Sequence, residues 1–258
     1  MLTLEELIEI HNEDSKIWLR KLDYNEESRK KFSGNFNYYH ILLSINALKS
    51  DHINEMKQHF YTSSIIDEIQ ITKYNNRLLD YGLRSISYSI LSDNEPLIQR
   101  YAKLRYQRGA NADLSMNEMV AIGELPIWCN TVQFFMANDN EGVERNLNII
   151  ETKTLKSLPK KEEGLKDDYE FYKALHNRDK AKMEEVLEKL VSPKIHKKRN
   201  DNPILNQYIS LPALGYAKLA WRKRIEVEVN NNLVPKELLP IKPLENYEIP
   251  YEFLKENI

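Results

Sequence analysis

The chain has 258 residues, 41% hydrophobic and 29% charged, with only 7 glycines and a formal net charge of -2. That is enough apolar material for a sizeable core, and little Gly with much Leu, Glu and Lys favours helix over sheet. The balanced charge gives no single-sign field for nucleic acid or a membrane surface, and no stretch approaches the roughly 18 apolar residues of a membrane span.

The single Cys129 cannot form an internal disulfide. The N-terminus, Met1-Leu2-Thr3-Leu4-Glu5-Glu6, has neither the basic region nor the apolar run of a secretory signal, so a cytoplasmic protein in a reduced compartment is expected. In chain order, Thr3 and Glu6 have capping-box spacing and open a first helix. A second runs from about Glu26 to Ser50, with Phe32, Phe36, Tyr39, Leu43 and Ala47 on one stripe. Asp51 is the expected cap of a third, through about Ile71, interrupted at Thr62-Ser63-Ser64.

A repeated punctuation follows. Leu91-Ser92-Asp93-Asn94-Glu95 recurs as Ala137-Asn138-Asp139-Asn140-Glu141 and, more loosely, as His176-Asn177-Arg178-Asp179-Lys180. The aligned aspartates 93, 139 and 179 are 46 and 40 residues apart, each between two apolar-striped helices. Helical hairpins stacked in series have periods of this size. In the first hairpin, Leu79, Leu83, Ile86 and Ile90 precede the turn. Pro96 suits the first turn of the return helix, and Gly109 its left-handed stop. In the second, one long apolar helix from Met119 to Met136 is expected, kinked at Pro126. The stretches Lys153–Gly164 and Ser192–Pro203 read as charged loops, the latter with the basic cluster Lys194-Ile195-His196-Lys197-Lys198-Arg199. After a last helix through Trp221, Ile225, Val227 and Val229 alternate with glutamates, as in an extended segment.

The fold expected is all-α: stacked antiparallel hairpins, solenoid-like or TPR-like, with a short extended C-terminal tail packed on the body. It is read as one domain over 1–258, with N-terminal helices in 1–72, a hairpin array in 73–224 and the docked tail in 225–258.

Motifs that carry chemistry are few. There is no phosphate-binding glycine loop, Gly-x-Ser-x-Gly, Cys-x-x-Cys or His-Glu-x-x-His. His52, Glu55 and His59 could share a helix face and offer two imidazoles and a carboxylate to a metal; with no second ligand-bearing helix evident, a polar surface face is the plainer reading. Ser28 and Lys31 match Ser-x-x-Lys without its companion motifs. Glu118 and Glu124 read as rim charges beside a core helix. No catalytic residue and no cofactor are expected. Tyrosine is enriched in interfaces, and Tyr38, His40 and Tyr106 are the candidate partner-binding residues.

Three stretches carry a family resemblance. They are Leu91-Ser92-Asp93-Asn94-Glu95-Pro96-Leu97-Ile98-Gln99-Arg100-Tyr101-Ala102, then Leu211-Pro212-Ala213-Leu214-Gly215-Tyr216-Ala217-Lys218-Leu219-Ala220-Trp221, and Ile225 to Val229 with Val234-Pro235-Lys236-Glu237-Leu238-Leu239-Pro240. Together they resemble bacterial immunity proteins of polymorphic toxin systems, most closely the family called immunity protein 49; a related all-helical family that neutralises delivered nuclease toxins is also similar. The first seventy residues carry no part of it. The resemblance implies structural roles, Gly215 and Ala217 for close helix packing and Trp221 for anchoring the tail. It implies a protein that binds and neutralises a cognate toxin without catalysis. A helical-repeat adaptor with a peptide groove is the alternative, and a metal enzyme on His52, Glu55 and His59 a third.

Overall fold

The computed structural model describes residues 2–22, 26–81, 83–107, 114–200 and 202–255, and among them every regular element is helical. α1 (Leu4–Leu22) opens as its spacing predicts. The Thr3 hydroxyl accepts from the Glu6 N–H at 3.2 Å, and the Glu6 carboxylate accepts from the Thr3 N–H at 2.8 Å. α2 (Glu26–Lys49) and α3 (Ile53–Thr72) pack on each other as an N-terminal pair ahead of the three hairpins. Asp51 does not cap α3: it takes left-handed backbone at φ 57°, and His52 precedes the helix without a side-chain bond. Nor is α3 interrupted at its polar centre. The Thr62 hydroxyl folds back on the Gln58 carbonyl at 3.1 Å, and Ser63 satisfies Asn37 of α2 through its carbonyl at 3.0 Å and hydroxyl at 2.9 Å.

A single 3-10 turn, Leu78–Tyr81, carries Leu79 into the core ahead of α4 (Arg84–Leu91) and α5 (Glu95–Lys103). α5 ends at Lys103; the stop expected at Gly109 falls outside the described residues. The long apolar helix of the second hairpin is two helices, α6 (Met116–Ile122) and α7 (Pro126–Ala137). Gly123 ends α6 in the left-handed conformation at φ 88°, and a Cβ there would sit 2.9 Å from the Thr154 hydroxyl. Pro126 therefore starts a helix rather than kinking one.

α8 (Asn140–Ile149) runs on through a π turn, Ile150–Thr154, into α9 (Leu155–Ser157), so the first part of the expected charged loop is helical. α10 (Leu165–His176) and α11 (Lys180–Val191) form the third hairpin. The basic cluster is α12 (Pro193–Arg199), not a loop: Pro193 opens it, His196 is buried, and the exposed lysines ride outside. α13 (Leu211–Arg222) precedes the tail, whose last turn is α14 (Glu252–Lys255).

The hairpins pack in series, α5 on α7, α8 on α10 and α11 on α13, and α13 also packs on α4, closing the series on itself. α13 is accordingly buried at every position from Ala213 to Ala220. Gly215 allows the α4 crossing, since a Cβ there would overlap the Ser87 hydroxyl. Beyond it Ile225, Val227 and Val229 are buried between exposed glutamates, as the period-two pattern predicts. No neighbouring strand is needed: α11 carboxylates accept the tail N–H groups, Glu184 from Glu228 at 2.8 Å and Glu188 from Asn230 at 3.2 Å. The Trp221 indole donates to the Val227 carbonyl at 3.0 Å. One cluster of buried hydrophobic residues includes both Leu4 and Leu254.

Candidate functional site

The repeated turns reveal a shift of register. Asn138 and Arg178 take left-handed backbone, and the next residues, Asp139 and Asp179, cap α8 and α11, accepting N–H bonds from Gly142 at 2.9 Å and Lys182 at 3.0 Å. In the first turn Asp93 is the left-handed residue and Asn94 the cap, accepting from Leu97 at 2.9 Å. Asp93 thus occupies the place of Asn138, not of Asp139. Released from capping, its side chain turns into the protein.

There it meets two lysines with no exposed surface to speak of. Lys57 of α3 lies 2.8 Å from Asp93 Oδ2 and Lys218 of α13 lies 2.7 Å from Oδ1. Both also hold the tail. Lys57 Nζ donates to the Lys242 carbonyl at 2.7 Å, and Lys218 Nζ to the carbonyls of Leu238 and Pro240, each at 2.8 Å. The Lys242 N–H returns to Asp93 Oδ2 at 3.2 Å. Burial lowers the Lys218 ammonium to about 8, although Asp93 opposes the shift. Lys57 and Lys218 escaped the sequence reading; the signal was a lysine inside the apolar run from Ala213 to Ala220.

A second buried group joins α10, α12 and α13. Arg199 pairs with Asp168 at 2.8 Å and donates to the Gly164 carbonyl at 2.8 Å. Tyr216 donates to the same carboxylate, and its oxygen lies 2.9 Å from that of Tyr172, which donates to the Trp128 carbonyl at 3.1 Å. Burial, with Asp168 nearby, raises both phenols far above their ordinary value.

The histidine candidates form a third group. His52, Glu55 and His59 do share a face, with Glu55 at 3.4 Å from His52 and 3.6 Å from His59. The other His59 nitrogen, however, lies 3.0 Å from His40 Nδ1, and His40 Nε2 lies 2.7 Å from the Tyr251 hydroxyl of the tail. Burial and then His59 lower His40 to about 3, so its ring is neutral. A neutral His40 receives the Tyr251 proton at Nε2 and donates from Nδ1 to His59, whose remaining N–H faces Glu55. Among the described residues no group of three or more His, Cys, Asp and Glu side chains is arranged to hold a metal ion.

The other candidates also have places in the fold. Tyr106 is buried and donates to Asp80 at 2.6 Å; His40 is buried as above; Tyr38 is half-buried with its ring against His11. Glu118 completes a capping box with Ser115, and Lys31 is exposed, over the Phe32 ring. A cleft of about 450 Å³ between α7, α10, α12 and α13 is lined by Arg199, paired with Asp168, by Lys161 and Glu162 at 3.8 Å from each other, and by the exposed Lys198. Among the described residues no helix is long and apolar enough to cross a membrane.

These observations define an all-helical protein whose inner polar residues tie helices and tail to one another. The sequence pattern of the family described as immunity protein 49 matches residues 56–238, and the chain belongs to that family. The matched span begins within α3 and ends in the proline-flanked turn, so it contains Lys57, Asp93 and Lys218 but not α1, α2, His40 or Tyr251. No curated protein and no solved structure matches the chain.

Proposed function

We propose that this protein acts by binding a cognate bacterial toxin domain and blocking it through protein–protein contact, without a reaction of its own, in the cytoplasm of the cell that makes the toxin. The observation that carries the reading is membership of the immunity protein 49 family across all three hairpins. The framework suits it: a helical body tied by buried charge offers a preformed surface that loses little entropy on binding. Of the groups picked out from the sequence, Glu118 caps α6, Arg199 pairs with Asp168 and His59 joins the His40–Tyr251 contact to the tail, structural places that support a binding role over a catalytic one.

The test is co-expression with the toxin-like gene nearest in the genome, scored by survival and co-purification. Survival with a stable one-to-one complex is expected. Death of the cells with no complex formed sinks the reading and turns attention to the peptide-groove alternative.

A further inference from the structure

Where α5, α6, α7 and α8 meet, a cleft of about 690 Å³ is lined by three cations, Lys103, Arg105 and Arg145. Its one carboxylate, Asp139, is the cap of α8 and accepts the Gly142 N–H at 2.9 Å. Among the described residues no carboxylate is paired with any of the three. Three other half-buried guanidiniums have a counter-charge: Arg100 has Glu68 at 2.8 Å, Arg199 has Asp168 at 2.8 Å, and Arg222 has Glu95.

Arg105 is also fixed in place by neutral acceptors. Its Nε donates to Asn117 at 3.1 Å, and its Nη1 to the Leu104 carbonyl and to Gln133, each at 2.7 Å. Gln133 is held in turn through the carbonyls of Tyr101 and Leu104, both at 2.8 Å. That leaves Arg105 Nη2 without a partner among the described residues. Arg145 is exposed, stands over the Phe134 ring at 5.0 Å and makes no hydrogen bond among the described residues. Burial, and then the charge of Arg145, press Arg105 below its ordinary value. The half-buried Arg105 and the exposed Arg145 thus bring two guanidiniums to one concave, partly apolar cleft, a setting that favours an oxyanion contacting both.

We propose that this cleft receives carboxylate side chains from an acidic segment of the protein partner, gripped by Arg105 and Arg145, with Lys103 steering the approach. The inference rests on the toxin-binding reading and deepens it by naming the surface and the partner's chemistry. A protein carboxylate fits better than a free phosphate for two reasons. The N-terminus of α8, where a phosphate would seek backbone N–H groups, is occupied by Asp139. Ala121, Val120 and Phe134 line an apolar floor that suits the stem of a glutamate and its neighbours.

Arg145→Glu and Lys103→Glu remove no hydrogen bond among the described residues and serve as the test variants; Lys182→Glu, on α11 and outside the cleft lining, is the control. In the first arm, hexaglutamate peptide and inorganic phosphate are titrated calorimetrically into the full chain. Hexaglutamate should bind, should weaken by about tenfold or more in Arg145→Glu, and should lose affinity steeply with salt. No binding, equal binding by Arg145→Glu, or tighter binding of phosphate than of the peptide overturns the proposal. In the second arm, the toxin that the chain protects against is titrated into the same proteins. A loss of about tenfold or more in Arg145→Glu with unchanged melting, and none in Lys182→Glu, supports the cleft; equal affinity overturns it while leaving immunity intact. Should the wild-type chain neither protect nor capture any toxin, the immunity reading fails, and the peptide arm alone decides the cleft.

Discussion

At the scale of single residues, Asp93 carries the most consequence. It is the sole carboxylate within ion-pair reach of both Lys57 and Lys218 among the described residues. Asp93→Asn would leave two buried ammonium groups facing an amide, which should cost about 3–5 kcal/mol. Lys218→Met leaves the Asp93–Lys57 pair intact but strips a donor from the carbonyls of Leu238 and Pro240, so about 1–3 kcal/mol is expected. Urea unfolding ranks the two; a Lys218→Met protein less stable than Asp93→Asn contradicts the account. Lys218 also sets a pH dependence. Its folded value of about 8 lies below the ordinary 10.5, so between those values the unfolded chain binds more protons. Stability from this group therefore rises with pH across that window. Wild type should melt above Lys218→Met, and the gap between their melting temperatures, followed from pH 7 to 10, should widen as pH rises; a constant gap contradicts the account. Tyr101, Tyr172 and Tyr216 act in the opposite sense above their ordinary 10, where the unfolded phenols ionise first. His40 contributes on the acid side. Held at about 3 against an ordinary 6.5, it loses stability for the fold as pH falls below 6.5, a loss that His40→Gln should blunt.

At the scale of elements, the shifted turn separates caps from the buried charge. Asn94→Ala, Asp139→Ala and Asp179→Ala each remove one helix cap and should cost about 1 kcal/mol apiece, whereas Asp93→Ala should cost several times more. Four equal values from denaturant titration would mean that Asp93 is a cap like its aligned partners. The sequence made the hairpins, their turns and the period-two tail legible, because caps and apolar stripes are local. It aligned Asp93 with the wrong neighbours because Asp and Asn both cap and both tolerate left-handed backbone, so a one-residue slip leaves the pattern intact. The break at Gly123 was missed because the apolar stripe runs across it, and α12 was missed because its lysines hide the buried His196 and the half-buried Arg199. The buried pairs were illegible for a different reason: Lys57, Asp93 and Lys218 are far apart in the chain, and the packing of both α3 and the returning α13 on α4 brings them together. Gly215 marks that return. Gly215→Ala should cost about 1–3 kcal/mol and be partly rescued by Ser87→Gly, which removes the overlapping side chain; strictly additive costs would place the strain elsewhere.

At the scale of the whole molecule, the tail acts as a strap between the family-matched body and the helices before it. From Pro240 onward it touches α3 and α2 at successive points: Lys57 through the Lys242 carbonyl, Gln58 paired both ways with the Glu248 backbone at 2.8 and 3.0 Å, and His40 through Tyr251. Tyr247 adds a ring contact to Tyr61 at 4.8 Å and donates to the Ser92 carbonyl at 2.7 Å, while Tyr251 packs on Phe36 at 4.7 Å. Most of these contacts join segments nearly two hundred positions apart, so they hold only when the array has closed. Ending the chain after Pro240 keeps the Lys218 bonds to Leu238 and Pro240 but removes every contact to Gln58, Tyr61 and His40. Amide exchange in that truncated protein should rise in α2 and α3 and stay near wild-type levels in α7, α8 and α10, because local opening follows lost tertiary contacts. The same truncation should leave affinity for hexaglutamate unchanged, since the cleft of Arg105 and Arg145 is built from α5 to α8. Uniformly faster exchange would mean that the tail stabilises the array as a whole, and unchanged exchange in α2 and α3 would mean that it pins neither.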